Sequence, residues 1–326
     1  SLFIVICSLC LFFSDKKGSH LWLYGALNGI LCGLAFTSKQ NTIGCWTALF
    51  CFDLIKLIQD KNKRQSFLLY WLFTGTGFLL VNACWVIYFA AHNALEAYWD
   101  VAFRFNFIYS ERSTDSRLSC AWTTLTFLPS ISPFMLLGFL SWFPSAYKLF
   151  KGKAALFSDY ALTSWATFSL PIELVLAGLS GMNYQHYFIL CLIPVIILFA
   201  HMITVLFANI SSPTQSYKIA ALLILCIASL PLIRHFEDNY MPRTPSSYTK
   251  VRDYLIKETD PSRPILVWGS RTAIYVMSGR YAPTAYFNER PLYLFPDEVQ
   301  EKQWQELLTD ITKDPPQVII YTHDTA

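Results

Sequence analysis

The stretch that decides the fold runs from residue 21 to residue 58 and reads "LWLYGALNGILCGLAFTSKQNTIGCWTALFCFDLIKLI". It contains two apolar runs, Leu21–Thr37 and Ile43–Ile58, which only a few polar residues around Lys39 separate. An α-helix needs roughly 17–25 apolar residues to cross a bilayer, so both runs are near the lower limit. The pattern predicts two adjacent spanning helices that tilt or lie at a thinned edge of the bilayer.

The composition of the whole chain agrees with this prediction. Of 326 residues, 54% are hydrophobic and only 14% are charged, whereas ordinary globular domains carry roughly 25% charged residues. The mean hydropathy is +0.37, which is typical of a polytopic membrane protein. The net charge of +3 is too small to indicate nucleic acid, so we expect no nucleic-acid partner.

Eight apolar segments can be marked, and several of them are close to spanning length. They are Ser1–Phe13, Leu21–Thr37, Ile43–Ile58, Phe67–Ala91, Ala121–Phe143, Tyr160–Leu179, Tyr187–Ala208 and Ile219–Ile233. The first is short and lacks the basic start of a signal peptide. We interpret it as the second half of a spanning helix, and the chain as a fragment truncated at its N-terminus.

Basic residues alternate between successive loops, which predicts the orientation. Every second loop is basic, with Lys16 and Lys17, then Lys56, Lys61, Lys63 and Arg64, then Lys148, Lys151 and Lys153, then Lys218. The intervening loops hold Lys39 alone, a mixed-charge segment, and no Lys or Arg between Ser180 and His186. By the positive-inside rule the basic loops face the cytoplasm. Lys39, the loop Ala91–Ser119 and the C-terminus are then expected outside.

The chain changes character after Ile233, where charged residues and prolines appear. The patterns predict helices over Ser246–Glu258, Arg271–Ser278 and Pro296–Thr312, and buried strands at Pro264–Gly269 and Gln317–Thr322 that form a parallel pair. The predicted fold class is therefore an α-helical polytopic membrane domain with about eight spanning segments, residues 1–236, followed by a small α/β extracytoplasmic domain, residues 237–326, for which truncation at the C-terminus is left open.

Lys39 is the first candidate for a binding residue. Basic residues are disfavoured on the outer side of a membrane, so a lysine there calls for a reason. With Gln40 beside it and Ser38 and Asn41 nearby, its ammonium is suited to hold a phosphate at the membrane surface. The alternative is a lysine that only extends its charge to the headgroups.

Arg104, Asn106 and Tyr109 lie on a predicted surface helix in the loop after the fourth apolar segment. The guanidinium of Arg104 is a second candidate phosphate ligand at headgroup level. A solvated helix face or an ordinary lipid headgroup contact explains the same residues.

Three further candidates fall in and after the sixth apolar segment. Glu173 is a carboxylate within a predicted spanning helix, where it faces a cavity or a partner, or is protonated and structural. His186 and Tyr187 stand at the start of the next segment and are able to contact a phosphate or a sugar hydroxyl, or to belong to an interfacial aromatic belt.

Motifs for cofactors and metals give no positive indication. The nine cysteines include one CxxC pair, Cys7 and Cys10, which lies inside the first apolar segment, and no Cys/His cluster with metal spacing. Nucleotide-binding loops and hydrolase motifs are also missing from the sequence. We predict no certain cofactor and leave a divalent metal ion as an open possibility.

Several stretches resemble the membrane-embedded GT-C glycosyltransferases of the protein O-mannosyltransferase and aminoarabinose-transferase type, in particular their bacterial relatives. "GILCGLAFTSKQ" (29–40) is similar to the family's Gly-Leu-Ala-Phe-Leu-Thr-Lys segment, and "NYQHYFILCLIPVIIL" (183–198) to its His-Tyr-Phe…Leu-Pro helix start. "ILVWGSRTAIYVMSGRYAPTAYF" (265–287) resembles the opening of the family's outer domain. With "AYWDVAFRFNFIY" (97–109), the likeness covers most of the chain.

The resemblance implies transfer of a sugar from a polyprenyl-phosphate donor to an acceptor glycan, lipid or protein on the outer face of a bacterial plasma membrane. Membrane lipids are further expected partners. The family's proposed catalytic acid lies in the first outer loop, for which this chain has no aligned position. The catalytic residue is therefore unknown, and this chain alone is expected to be inactive.

Two other functions are the alternatives to a glycosyltransferase. One is a transporter or flippase, and the other is a membrane scaffold whose outer domain binds a partner.

Overall fold

The computed structural model describes residues 2–14, 20–111, 119, 122, 133–151, 160–179, 181, 185–208, 247–269, 271–289, 291–294 and 297–322. Helices dominate these residues. The chain divides into two compact units, Ser1–Tyr98 with Ser113–Arg234, and Trp99–Arg112 with His235–Ala326. The predicted boundary at residue 236 is close to the second of these junctions, and the segment Trp99–Arg112 is grouped with the C-terminal unit.

The described residues of the first unit lie mainly in helices. They are α1 (Leu2–Phe12), α2 (Leu21–Ser38), α3 (Gly44–Gln59), α4 (Arg64–Ala91), α5 (Leu95–Trp99), then, after a segment of the second unit, α7 (Pro133–Leu140), α8 (Trp142–Phe150), α9 (Ala161–Gly178) and α10 (Leu192–Ala208). Short 3₁₀ turns precede α3, α4 and α10, at Gln40–Ile43, Lys61–Lys63 and Gln185–Cys191. Helix α6 (Phe105–Glu111) belongs to the second unit.

Glycines let the backbones of α2 and α4 approach each other closely. Gly25, Gly29 and Gly33 recur every four residues along one face of α2. A methyl group on Gly29 would overlap the carbonyl of Thr74, and one on Gly25 would lie 2.5 Å from the carbonyl oxygen of Tyr70. Small residues at this spacing are the usual means of close helix packing in membranes.

A buried asparagine on the same helix joins four helices. The Asn28 side chain donates to the Tyr70 hydroxyl on α4 (2.6 Å) and accepts from the Trp46 indole on α3 (2.9 Å). The hydroxyl of Ser8 on α1 also donates to it. All these groups are buried. Because a buried polar group that is left unpaired costs about 1–3 kcal/mol, the network specifies one arrangement of α1 to α4.

Helix α9 contains Pro171 and remains continuous. Because proline has no N–H, the carbonyl of Thr167 loses its partner within the helix. The Trp142 indole on α8 donates to that carbonyl at 2.8 Å and satisfies it. Helix α9 packs in turn against α3 and α10, and α10 packs against α7.

Five helical segments are long and apolar enough to cross a membrane: Leu21–Ser38, Gln40–Gln59, Lys61–Ala91, Ala161–Gly178 and Tyr187–Val205. This agrees with a helical membrane protein. Leu2–Phe12 and Phe134–Phe150 are shorter apolar helices. The expected total of eight spans is not confirmed, because Ile219–Ile233 and much of Ala121–Phe143 lie outside the described residues.

The apolar run that ends at Phe143 is divided near its end. Helix α7 stops at Leu140 and α8 begins at Trp142. Pro144 cannot donate a hydrogen bond to the carbonyl of Leu140, which explains an interruption at this point.

The second unit has the order α6, α11 (Ser247–Glu258), β1 (Leu266–Trp268), α12 (Ala273–Ser278), α13 (Pro291–Leu294), α14 (Asp297–Lys313) and β2 (Ile319–Tyr321). The two strands pair in parallel with Leu266 opposite Ile319, as predicted. Val267 packs with Leu255 and Ile274 on one face of the sheet. On the other face, Trp268 contacts Trp304 of α14.

The glycine contact between α2 and α4 leads to the first testable prediction. Gly29→Ala forces a methyl group into the Thr74 carbonyl and should lower the free energy of unfolding by about 1–3 kcal/mol. Gly75→Ala, on α4, meets no atom within 4 Å and should be neutral or slightly stabilising, since alanine favours helices. Thermal unfolding of the two variants in detergent compares them directly, and equal midpoints would contradict the packing argument.

Candidate functional site

The turn between α2 and α3 holds Lys39 in a defined position. Its backbone is extended, with φ −165° and ψ 115°, which ends α2. The Lys39 N–H donates to the Ala35 carbonyl at 2.9 Å. The Lys39 carbonyl accepts from both the N–H (3.1 Å) and the hydroxyl (2.8 Å) of Thr42. The side chain therefore leaves the helix end from a backbone that is bonded on both sides.

The ammonium of Lys39 lies over the ring of Tyr187, 4.3 Å from the ring centroid. Tyr187 belongs to the 3₁₀ turn Gln185–Cys191 that precedes α10. This cation–π contact joins two polar segments that the sequence places far apart, and such contacts contribute about 0.5–1 kcal/mol at exposed sites. Two of the predicted binding residues are thus adjacent in space.

Burial lowers the pKa of Lys39 from its ordinary value of 10.5, because partial removal from water disfavours the charged amine. The positive charge is thus costlier to maintain here than in water. An anion that approached this group would offset that penalty, so the electrostatics of the site favour a negatively charged ligand.

Glu173 is buried on α9, with its carboxyl group packed against the start of α3. Only 3% of this residue is exposed. A side chain on Gly44, the first residue of α3, would bring its Cβ within 2.7 Å of the Glu173 carboxyl carbon. Only a residue without a side chain therefore fits at position 44 beside this carboxyl group.

Two buried polar atoms close to these residues in sequence have no hydrogen-bond partner among the described residues. They are Oδ1 of Asn41, two residues after Lys39, and the hydroxyl of Ser169, one helical turn before Glu173. Buried polar groups are normally paired, so an unpaired atom calls for an explanation such as a bound water or ligand.

The remaining predicted residues of the first unit are Gln40 and His186. Gln40 opens the 3₁₀ turn that follows Lys39 and is half-buried. The backbone of His186 lies in the turn that carries Tyr187. The side chain of His186 lies outside the described part of the chain, so its predicted role stays a prediction.

The second unit contains the other three predicted residues, Arg104, Asn106 and Tyr109. Arg104 ends a π-helical turn, Asp100–Arg104, and forms a 3.6 Å ion pair with Asp100. The Asn106 amide donates to the Ala102 carbonyl at 2.8 Å. The side chain of Tyr109 is not among those described. Arg104 thus already has a carboxylate partner, with which a phosphate would have to compete.

No cluster of three or more His, Cys, Asp or Glu side chains occurs in the described ranges. The predicted possibility of a divalent metal ion stays open.

Sequence inspection missed Gly44 and Ser169. The spacing of four residues between Ser169 and Glu173 places both on one face of a helix and was the available signal for the serine. Nothing in the sequence relates Gly44 to Glu173.

Comparison of the chain with protein-family models, curated proteins and solved structures gives no match.

A double-mutant cycle tests the contact between Lys39 and Tyr187. Lys39→Met removes the charge and Tyr187→Leu removes the ring, and the two changes should couple by about 0.5–1 kcal/mol in the free energy of unfolding. Tyr187→Phe keeps the ring and should preserve most of that coupling. Additive effects of Lys39→Met and Tyr187→Leu would show that the contact contributes nothing.

Proposed function

We propose that this chain is part of a glycosyltransferase that moves a sugar from a polyprenyl-phosphate donor to an acceptor at the membrane surface. The observation that carries the proposal is the Lys39 ammonium held over Tyr187 where α2 ends and α3 begins. Charged groups of lipids lie at the ends of spanning helices, so a cation fixed at this level suits a lipid-linked phosphate.

The proposed reaction exchanges one bond at the anomeric carbon. The bond from this carbon to the phosphate oxygen breaks, and a bond to the acceptor hydroxyl oxygen forms. The hydroxyl proton passes to a general base, and polyprenyl phosphate leaves with the added negative charge. Lys39 faces the leaving phosphate in this scheme and stabilises the charge as it develops.

The other residues take supporting roles in the proposal. Tyr187 orients the ammonium and, with His186, lines the cleft for the sugar. Gln40 and Glu173 flank the same turn, and Arg104, Asn106 and Tyr109 are separate candidates for phosphate contacts in the second unit. The general base is not assigned to any residue of this chain.

The charge pattern supports an outward-facing site. Lys39 stands at the start of α3, whereas Lys61, Lys63 and Arg64 follow its other end. If the basic end faces the cytoplasm, Lys39 and the C-terminal α/β unit face the outside. We propose this orientation in a bacterial plasma membrane.

Transfer of radiolabelled sugar from polyprenyl phosphate by the full-length protein tests the proposal. Lys39→Ala should lower the rate of transfer by roughly 10²-fold, which is the scale of losing one group that stabilises transition-state charge. Lys148→Ala removes the same charge at α8 and should leave transfer unchanged. Intact transfer after combined Lys39→Ala and Arg104→Ala substitution would show that the phosphate assignment is wrong.

The pH dependence of transfer provides a separate test. Lys39 binds phosphate as the ammonium, which persists below its pKa and is lost above it. Because burial lowers that pKa, transfer should decline on the alkaline side at a pH below 10.5. Lys39→Arg remains charged throughout and should extend activity to higher pH. An identical alkaline decline in wild type and Lys39→Arg would assign the titration to another group.

A transporter or flippase of a lipid-linked or small substrate is the second candidate. The buried carboxyl of Glu173 within a span-length helix favours it, since such groups are common at ion-coupled sites. Uptake into proteoliposomes without any transfer product would support this candidate over the first.

A further inference from the structure

A cavity of about 290 Å³ lies at the opposite end of α3 from Lys39. The first turn of α2, the last turns of α3 and the beginning of α4 surround it. Lys56, Lys63 and Ser66 supply polar groups to its lining, and Leu57 and Phe67 supply apolar ones. It is thus separate from the site proposed for sugar transfer.

The charge of this cavity favours an anion. Lys56 and Lys63 both line it. The Lys56 ammonium lies 4.4 Å from the centroid of the Phe52 ring, is attracted by Asp53 and is repelled less strongly by Lys63. An anion between them would relieve that repulsion. Lys63 lies 3.6 Å from Asp60, but both side chains are well exposed, so water weakens the pair.

One carboxylate in the lining reduces the positive charge without cancelling it. The Oδ2 atom of Asp53 accepts a hydrogen bond from the Trp71 indole at 3.0 Å, which orients the carboxylate. Against this single negative charge the lining holds two lysines, and the exposed residues Lys61 and Arg64 lie in the adjoining turn.

The surroundings of the cavity favour an amphiphilic ligand over a small ion. Leu57 and Phe67 form part of the wall, and the neighbouring side chains of Ile58 and Leu68 are 70% and 54% exposed. In a helix of spanning length such exposed side chains face lipid. A ligand here would therefore meet cations at one end and hydrocarbon contacts at the other.

We propose that this cavity binds the head group of an anionic phospholipid. Its phosphate lies between Lys56 and Lys63, with the Ser66 hydroxyl available to donate a hydrogen bond. Its acyl chains follow the apolar surface around Leu57 and Phe67. Ammonium groups at headgroup level attract anionic lipids in this way. The proposal does not depend on glycosyl transfer.

Native mass spectrometry of the full-length protein with phosphatidylglycerol and phosphatidylcholine tests this site. Wild type should retain phosphatidylglycerol preferentially. The double variant Lys56→Gln with Lys63→Gln should bind it roughly tenfold more weakly or worse. Lys148→Gln with Lys151→Gln removes the same charge at α8 and should bind as wild type does. Equal losses in the two double variants would overturn the proposal, because they would indicate general charge attraction.

A variant that keeps the charge makes the test independent of the lysines. Ser66→Trp should fill the cavity and weaken phosphatidylglycerol binding while the thermal unfolding midpoint stays near that of wild type. Unchanged lipid binding in this variant would overturn the cavity as the site. Inorganic phosphate that bound as tightly as phosphatidylglycerol would overturn the lipid as its ligand. If Lys56→Gln prevents folding, Lys63→Gln and Ser66→Trp still decide the matter.

Discussion

The close contact between α2 and α4 is the constraint on which the rest of the first unit depends. Three glycines remove the side chains that would hold these helices apart, and Asn28 lies between them on the same helix. Because Asn28 is buried, its amide must be paired, and it bonds with groups on α1, α3 and α4. Glycine packing sets the distance between the helices, and the amide network selects their arrangement. Together they fix where α2 ends and hence where Lys39 stands.

The two ends of α3 carry different chemistry for a common reason. Hydrocarbon excludes charge, so the ionic groups of this hairpin collect where the helices end. At one end Lys39 contacts Tyr187, and the carboxyl of Glu173 packs on Gly44. At the other end Lys56 and Lys63 line a cavity. We propose a lipid-linked phosphate as the ligand of the first arrangement and a phospholipid as the ligand of the second.

Local sequence patterns predicted the second unit closely. The expected helix Ser246–Glu258 is observed as Ser247–Glu258, and Pro296–Thr312 as Asp297–Lys313. Both strands and their parallel pairing also agree, but β2 is not buried as predicted, because Ile319 and Tyr321 are 62% and 70% exposed. Caps, prolines and apolar runs determine such boundaries locally. The membrane segments were harder to delimit, because apolarity shows that a run avoids water but not where a helix breaks. The interruption between α7 and α8, just before Pro144, illustrates the difference.

The sequence alone is sufficient to predict a chain rich in apolar helices, the approximate positions of those helices and the polar residues at their ends. These follow from composition and spacing, which act over a few residues. Only the tertiary structure decided that Lys39 meets Tyr187, that Glu173 rests on Gly44, and that Lys56 and Lys63 share a cavity. Such contacts join residues distant in sequence, and they depend on which faces of the helices pack. That choice rests on the glycine face of α2, which is visible in the sequence as a four-residue repeat, and on a buried hydrogen-bond network, whose partners no local pattern identifies.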